Sequence, residues 1–357
     1  MADAAPDGAR SSGAATGAVR ASAAVSTAAV IGGGVIGAAW VARMRLRGVD
    51  VRVFDPSPTV ARSLEEVMAS ATRAWEALGL PTDAVGELQL RRSVADAVDG
   101  VDLVQESVPE RLDVKHATLR EIESAAPPGA LIASSTSGFR PTELAIALER
   151  PERFVVGHPF NPVYLLPSVE VVGGEATAAA TIEHAERAYR ELGMKPVHVR
   201  VEIDAFIADR LLEAVWREAL WLVRDGVATT GEIDDVIRHG FGLRWAQMGL
   251  FETYRTAGGD GGMAHFLAQF GPALAWPWSR LTDVPEWTDE LVELIAAQSD
   301  DQSGDRSIAE LVAERDRNLV AILLALEQVD AGAGRVVAEM RRTASSGRAA
   351  DPRRARS

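Results

Sequence analysis

One histidine in the 357-residue sequence occupies a position that suits proton transfer. His158 follows the apolar residues 154–157 and precedes the turn-forming residues 159–162. This order predicts an imidazole at the carboxyl end of a strand, which is where open α/β sheets bind their ligands. Since the ordinary pKa of histidine lies near neutrality, His158 can take the proton of an alcohol while a hydride leaves the same carbon.

Glu170 is the acidic side chain that we pair with His158. It lies within the apolar residues 169–172, where a carboxylate is costly to bury without a partner such as histidine. The spacing leaves a second interpretation open, in which His158 only ends a strand and Glu170 faces water. The other five histidines show no pair at the spacing of metal ligands, so we expect no metal site.

Three glycines form a motif typical of dinucleotide binding. Gly32, Gly34 and Gly37 give the spacing G-x-G-x-x-G directly after an apolar strand and at the start of an apolar helix. The first glycine allows a tight turn, the second lets backbone approach a pyrophosphate, and the third lets helix and strand pack closely. Val35 and Ile36 lie in the first helical turn, whose free N–H groups favour an anion.

Asp55 supports the same interpretation. It ends the next predicted strand, 18 residues after Gly37, where a carboxylate accepts hydrogen bonds from the hydroxyls of an adenosine ribose. Its charge repels a 2′-phosphate, and residues 56–58 supply no arginine to neutralise one, so the sequence favours NAD over NADP. The chain has no cysteine, and redox chemistry therefore requires such a borrowed cofactor.

Residues 134–138, with the sequence Ser-Ser-Thr-Ser-Gly, follow another predicted strand. Their hydroxyls can contact a substrate or a nicotinamide, but clusters of this kind also form ordinary turns. The sequence leaves both interpretations open.

Strands and helices that alternate in the first half of the chain position these residues. Short apolar segments predict strands at residues 28–31, 49–54, 101–106, 130–134 and 154–158. Strands separated by helices imply a parallel sheet, so the expected fold class is α/β, with an N-terminal Rossmann-type doubly wound sheet. After about residue 201 the apolar residues recur at helical spacing, which predicts a mostly α-helical C-terminal domain.

We divide the chain into four segments. Residues 1–26 are rich in Ala, Gly and Ser and predict a disordered leader. Residues 27–202 are the expected NAD-binding domain, and residues 203–330 the helical domain for substrate binding and dimerisation. Residues 331–357 lose their large apolar side chains and become rich in Arg and Ala, which predicts a disordered tail.

Charge and hydropathy limit the classes of partner. The formal net charge of −14 repels phosphate backbones, so we expect no nucleic acid, whereas a cationic or zwitterionic small molecule is compatible. No apolar run approaches the roughly 18–20 residues of a membrane-spanning helix, and the N-terminus does not resemble a signal peptide. We therefore expect no membrane partner and a cytoplasmic location, which the lack of cysteine also suits.

Several segments resemble the 3-hydroxyacyl-CoA dehydrogenase superfamily, over roughly residues 27–325. The resemblance implies that His158 is the general base, that Glu170 orients it and that Ser137 hydrogen-bonds the substrate oxygen. It also implies that Glu110 and Lys115 lie near the nicotinamide end of NAD, and Lys115 is one of only two lysines in the chain. The resemblance rests on these segments: the glycine motif with its strand, residues 106–110, 134–138 and 158–162, and Glu170.

Two later segments, residues 203–212 and 240–249, resemble the branch of this superfamily that oxidises L-carnitine. At Asp209 the chain departs from the acyl-CoA enzymes, whose pattern has asparagine there, so the resemblance implies that Asp209 contacts a different substrate end. Arg244 lies where the branch that acts on free acids has arginine. A bidentate contact to a substrate carboxylate is one interpretation of Arg244, and a surface or interface salt bridge is the other.

Carnitine also carries a trimethylammonium group, which is recognised by aromatic faces and diffuse negative charge. Trp245, Phe251 and Tyr254 follow Arg244 closely and can supply such faces.

The resemblance thus predicts the NAD-dependent oxidation of the 3-hydroxyl of L-carnitine by a homodimer. Two alternatives keep the chemistry and change the substrate to another free 3-hydroxy acid, such as gulonate, or to a 3-hydroxyacyl-CoA. A crystallin-like dinucleotide-binding protein is the non-enzymatic alternative. The presence together of Ser137, His158 and Glu170 argues against it, because a non-catalytic protein has no need for a base and its partner.

Overall fold

The computed structural model describes residues 25–258, 260, 262–270, 279, 286, 288–291, 293–294, 305 and 308–350. The predicted leader therefore lies outside the described residues, except for Val25 and Ser26. Val25 is already buried, and its N–H donates to Glu191 Oε2 at 3.1 Å.

A single eight-stranded sheet organises the first half of the chain. The spatial order of its strands is β3-β2-β1-β4-β5-β6-β7-β8. The strands are β1 (Thr27–Ile31), β2 (Asp50–Phe54), β3 (Leu88–Leu90), β4 (Leu103–Glu106), β5 (Leu131–Ser134), β6 (Phe154–Pro159), β7 (Ser168–Val172) and β8 (Lys195–Val199). The order reverses between β1 and β4, and ligands of doubly wound sheets bind at the carboxyl ends of the strands on either side of such a reversal.

The expected parallel sheet is correct for β1 to β6 and wrong for the last two strands. β7 runs antiparallel to β6, and β8 pairs in parallel with β7. A parallel return needs a crossover of about a dozen residues or more, but only residues 160–167 separate β6 from β7, so the chain turns back beside β6.

Helices cover both faces of the sheet because alternate residues of each strand point to opposite sides. Ala28 and Val30 face the core formed with α1 and α2, whereas Ala29 and Ile31 face the core formed with α3 and α4. The helices of this half are α1 (Val35–Leu46), α2 (Val60–Ala77), α3 (Val94–Val98), α4 (Leu112–Ala125), α5 (Pro141–Ala145) and α6 (Ala179–Glu191).

The described part of the second half contains helices and no strand, as the sequence predicts. A π-helical segment, Ile237–Phe241, connects the second and third of these helices. The helices are α7 (Ala208–Arg224), α8 (Thr230–Val236), α9 (Gly242–Ala257), α10 (Gly262–Phe270), α11 (Ile308–Gln328) and α12 (Gly334–Ala350).

Helix α12 corrects the expectation of a disordered tail for residues 334–350, and residues 351–357 of that predicted tail lie outside the described residues. Val337 and Met340, three residues apart, are buried in the same core as α1 and α2. Arg341 Nε donates to Leu78 O at 2.8 Å. The tail is poor in large apolar residues, but the few that it has share one helical face, and that is enough to dock it.

Within the described residues, no helix combines the length and the apolar character needed to cross a membrane.

Candidate active site

The glycine motif has the geometry of a dinucleotide loop. Gly32 adopts φ +98°, and a Cβ built there would lie 2.5 Å from Ser107 O, so neither the backbone nor the space admits a side chain. A Cβ on Gly37 would collide with Gly32 O, which explains the close contact of helix and strand. No protein atom lies within 4 Å of the corresponding position on Gly34, which leaves that side of the loop open to a ligand.

The first turn of α1 lies beside this open space. Gly34 caps the helix and has no side chain to accept its N–H groups, and Val35 is 70% exposed. The first-turn N–H groups, which belong to residues including Val35 and Ile36, can therefore receive an anion.

Asp55 follows β2 at the edge of the same space. Its Oδ2 accepts from Gly33 N–H at 2.6 Å and its Oδ1 accepts from Ser57 N–H at 2.7 Å. These bonds fix the carboxylate and leave further lone pairs for ribose hydroxyls. Together with the glycine loop, Asp55 forms a set of groups that fits NAD.

His158 and Glu170 form a buried pair. They are direct partners across the β6–β7 ladder, and His158 Nδ1 lies 2.9 Å from Glu170 Oε2. The other carboxylate oxygen, Oε1, accepts from Ile207 N–H at 3.0 Å and from Ala208 N–H at 3.1 Å. The alternative in which Glu170 faces water is wrong, because the residue is only 3% exposed.

Ser137 meets the other nitrogen of the imidazole. Its Oγ lies 3.1 Å from His158 Nε2, and the residue is exposed. β5 and β6 are neighbours in the sheet, so the loop after β5 and the end of β6 reach the same edge. The structure therefore brings together all three residues that the resemblance assigns to proton transfer.

Glu110 holds the loop that carries Ser137. Its Oε1 accepts from Thr136 Oγ1, from Ser137 N–H at 3.2 Å and from Gly138 N–H at 3.0 Å. Burial on its own raises the pKa of Glu110, but the hydrogen bond from Thr136 and the charge of Lys115 outweigh it and hold the pKa below its ordinary value. The serine cluster is thus both a turn and a source of hydroxyl groups.

Lys115 is buried behind this loop and is not a solvated helix residue. Its Nζ lies 2.9 Å from Glu106 Oε1, 3.2 Å from Glu110 Oε2 and 3.3 Å from Val108 O. Glu106 is fully buried and also accepts from Ser134 Oγ. The proximity of Glu110 and Lys115 to a nicotinamide stays a prediction.

Asp209 is the acidic residue in the first turn of α7, close to the imidazole. Its Oδ2 lies 3.7 Å from His158 Nε2, and its side chain is 29% exposed. Burial, Glu170 and Glu213 raise the pKa of Asp209, while His158 opposes the rise.

Two phenylalanines that the sequence analysis does not single out flank the imidazole. The ring of Phe206 lies 5.5 Å from that of His158, and the ring of Phe160 lies 5.9 Å from it. Phe206 is fully buried and has φ +50°, directly before the Ile207 and Ala208 N–H groups that bind Glu170. Both lie in segments that carry the resemblance, but only the fold places their rings beside His158.

Apart from Asp209, the four residues assigned to the substrate ends lie on α9, and the structure does not bring them to His158. In the described parts of the chain, no hydrogen bond, ion pair or ring contact joins them to the imidazole. The ring centroids of Trp245 and Phe241 are 4.6 Å apart, and those of the stacked rings of Tyr254 and Phe266 are 4.7 Å apart. The four residues, all exposed, are Arg244, Trp245, Phe251 and Tyr254.

Among the described residues, no group of three or more His, Cys, Asp or Glu side chains is arranged to hold a metal ion.

Comparison with known families gives a match over most of the chain. Residues 27–203 match the NAD binding domain of 3-hydroxyacyl-CoA dehydrogenase, and residues 206–297 match its C-terminal domain.

Two similar proteins carry carnitine dehydrogenase names. L-carnitine dehydrogenase of Mesorhizobium japonicum is 58% identical over 306 residues, which cover 85% of this chain and 84% of that protein. L-carnitine dehydrogenase/betainyl-CoA thioesterase of Agrobacterium fabrum is 60% identical over 309 residues, which cover 86% of this chain and 63% of that longer protein.

Solved structures of other dehydrogenases share the fold of this chain. The NAD⁺-dependent 5-formyl-3-hydroxy-2-methylpyridine 4-carboxylic acid 5-dehydrogenase superposes with a TM-score of 0.72 at 30% identity, over 85% of this chain and 99% of that one. (S)-3-hydroxybutyryl-CoA dehydrogenase from Ralstonia eutropha superposes with a TM-score of 0.57 at 25% identity, over 77% and 94% of the two chains. The chain therefore belongs to the 3-hydroxyacyl-CoA dehydrogenase family and is an NAD-dependent dehydrogenase.

Proposed function

We propose that this dehydrogenase oxidises the 3-hydroxyl of L-carnitine to the ketone of 3-dehydrocarnitine, with His158 as the general base. The names of relatives at 52–60% identity support the substrate. One observation carries the mechanism: Glu170 lies 2.9 Å from Nδ1 of His158, and Ser137 lies 3.1 Å from Nε2.

The hydrogen bond to Glu170 selects the form of the imidazole that can act as a base. A carboxylate accepts hydrogen bonds, so Nδ1 keeps its proton and Nε2 of the neutral ring presents a lone pair. A hydroxyl within hydrogen-bond reach of Nε2 gives its proton to that nitrogen as its C–O bond becomes C=O. The glycine loop and Asp55 would hold NAD, and the bound cofactor would supply the acceptor for the hydride that leaves the same carbon.

Ser137 positions the reacting oxygen. Its Oγ lies beside Nε2 on a loop that Glu110 clamps through two backbone N–H groups, so the hydroxyl is preorganised rather than free. It can donate to the substrate oxygen while that oxygen loses its own proton to His158. The imidazolium that forms then lies between two carboxylates, Glu170 at Nδ1 and Asp209 near Nε2.

Arg244, Trp245, Phe251 and Tyr254 remain our candidates for the ends of the substrate. Arg244 suits the carboxylate because a guanidinium binds it with two hydrogen bonds, and the aromatic side chains suit the trimethylammonium group. Their exposure leaves them available, and α9 is interrupted at Gly249, which has φ +70°. Unchanged carnitine affinity after alanine replacement of all three aromatic residues would remove them from the site.

A panel of substrates tests the proposed reaction. We would mix the purified protein and NAD with L-carnitine, D-carnitine, gulonate or 3-hydroxybutyryl-CoA and follow NADH absorbance. The proposal predicts NADH from L-carnitine with the highest kcat/KM of the four. Turnover only with gulonate or with 3-hydroxybutyryl-CoA would leave His158 as the proposed base but would show that L-carnitine is not the substrate. A lack of NADH with all four would favour the non-enzymatic alternative.

We also propose that the enzyme is a homodimer that pairs through α7. One side of this helix presents large apolar residues to solvent, and contiguous apolar surface of that kind commonly marks an interface. Its members, each 38–59% exposed, are Leu211, Leu212, Val215 and Trp216.

A further inference from the structure

One carboxylate at the active site has no partner that explains its presence. Asp209 Oδ2 lies 3.7 Å from His158 Nε2, the same nitrogen that Ser137 Oγ contacts at 3.1 Å. In the described part of the chain, His158 is its only ion-pair partner, and that pair exists only when the ring is protonated. The first turn of α7 therefore points a negative charge at the place where a substrate hydroxyl must lie.

The neighbouring carboxylates are engaged elsewhere. Glu170 binds His158 and two backbone N–H groups. Glu213, one turn further along α7, is paired with Arg217 at 2.7 Å. Asp209 is thus the carboxylate near Nε2 whose charge the protein leaves unmatched.

The geometry of the proposed substrate brings a positive charge to this position. In carnitine the trimethylammonium nitrogen is bonded to the carbon next to the one that bears the hydroxyl. When the hydroxyl is within hydrogen-bond reach of Nε2, the cationic nitrogen is held a few ångströms from the same atom. Its methyl groups prevent N–H hydrogen bonding, so it needs a nearby negative charge rather than a precise acceptor.

We propose that Asp209 is the counter-charge for the trimethylammonium group and makes the enzyme select cationic 3-hydroxy acids over neutral ones of the same shape. This inference rests on the proposed function. It also explains how His158 can gain a proton beside a cation: the carboxylate offsets the repulsion between the imidazolium and the ammonium group.

The electrostatics around Asp209 fit this role. Burial, Glu170 and Glu213 raise its pKa against the opposing effect of His158, which means that the surrounding protein disfavours its charge. A bound cation reverses that effect, so the binding of carnitine and the ionisation of Asp209 strengthen each other.

A pair of substrates that differ in charge alone provides the test. 3-Hydroxy-5,5-dimethylhexanoate has a tert-butyl group in place of trimethylammonium and is otherwise the same molecule as carnitine. We would measure the ratio of kcat/KM for L-carnitine to that for this neutral isostere in the wild type, Asp209→Asn and Asp209→Ser. Glu213→Gln is the matched control, because it removes a carboxylate one turn along α7 that is already paired.

We expect the ratio to fall about tenfold or more in both Asp209 variants and not to fall in Glu213→Gln, which removes a repelling charge from Asp209. If both substrates slow equally in the Asp209 variants, Asp209 has a structural or proton-transfer role and the inference is wrong. A wild type that oxidises the two substrates equally well also overturns it. A wild type that oxidises neither substrate overturns the proposed function itself.

A binding measurement covers the case in which the Asp209 variants fold but do not turn over. Titration in the presence of NADH would compare 4-trimethylammoniobutanoate with 5,5-dimethylhexanoate, which lack the reacting hydroxyl. We expect the wild type to bind the cation more tightly than the neutral analogue. In the Asp209 variants the ratio of the two Kd values should shrink about tenfold. An unchanged preference would contradict the assignment.

Discussion

Glu170 Oε2 lies 2.9 Å from His158 Nδ1, and the two residues face each other directly across antiparallel strands. Opposite residues of such a pair project on the same side of the sheet, so the turn between β6 and β7 sets the contact. The second oxygen of Glu170 binds the start of α7, which carries Asp209. One buried carboxylate thus connects the proposed base to the helical half of the protein.

Replacing Asp55 should weaken the preference for NAD. We expect Asp55→Ala to raise the KM for NAD about tenfold, because it removes a charged acceptor for the ribose hydroxyls, and to raise it less for NADP. Initial rates with both cofactors would measure this change. Asp113→Asn is the control, since Asp113 is exposed and paired with Arg111. An unaltered ratio of the KM values for NAD and NADP would show that Asp55 does not bind the ribose hydroxyls.

The clamp formed by Glu110 should make the stability depend on pH in the acid range. Its pKa is held below the ordinary value of 4.5, so its stabilising contribution is present above that value and is lost as the pH falls through the lowered pKa. We expect wild type to be more stable than Glu110→Gln at neutral pH, with the difference shrinking below about pH 4.5.

Urea unfolding midpoints at several pH values would measure this difference. Glu121→Gln, an exposed change on α4, which begins two residues after Glu110, should show little effect at any pH. A gap between wild type and Glu110→Gln that stays constant with pH would mean that the carboxylate charge does not stabilise the loop.

Helix α12 should contribute to the stability of the fold. Met340 is 5% exposed and packs beside Arg43, with its Sδ 3.8 Å from Nη1. We expect Met340→Ala to lower the free energy of unfolding by about 2–4 kcal/mol, and the exposed neighbour Glu339→Ala by less than about 0.5 kcal/mol. Chemical denaturation provides the comparison. Equal stability of the two variants would mean that α12 is not docked.

The apolar side of α7 should hold the proposed dimer together. Light scattering on a size-exclusion column should give twice the chain mass for wild type and a single chain mass for Leu212→Glu or Trp216→Glu, because a buried unpaired charge disfavours association. Ile146→Glu replaces another exposed apolar residue, directly after α5, and should leave the dimer intact. A dimer that survives both α7 substitutions would place the interface elsewhere.

Local sequence patterns are sufficient to predict the cofactor loop and the strand that carries His158 near its carboxyl end. The glycine spacing, Asp55 and His158 each depend on a single strand–turn unit, and short-range pattern determines such units. The antiparallel direction of β7 could not be predicted from such a pattern. A short, mostly apolar segment such as residues 169–172 does not indicate the direction of its strand, and only the short connection between β6 and β7 forces the antiparallel pairing.

The rest of the site depends on contacts between distant parts of the chain. The resemblance implies that Lys115 lies near the nicotinamide end of NAD, but only the fold shows that its ammonium group is also surrounded by Glu106, Glu110 and a backbone oxygen. The aromatic residues of α9 follow Arg244 in sequence, but Phe160 and Phe206 are the rings beside His158. Proximity along the chain does not predict these ring contacts, because strand order and helix docking decide which side chains meet.

The rate of NADH formation from L-carnitine by His158→Gln, relative to wild type, is the most direct test of the account. His198→Gln, an exposed change on β8, is the control, and binding of NAD should be equal in all three proteins. We predict that kcat falls by a factor on the order of 10²–10⁴ in His158→Gln alone, because glutamine cannot take the hydroxyl proton. NADH formation at the wild-type rate by His158→Gln would contradict the proposed mechanism.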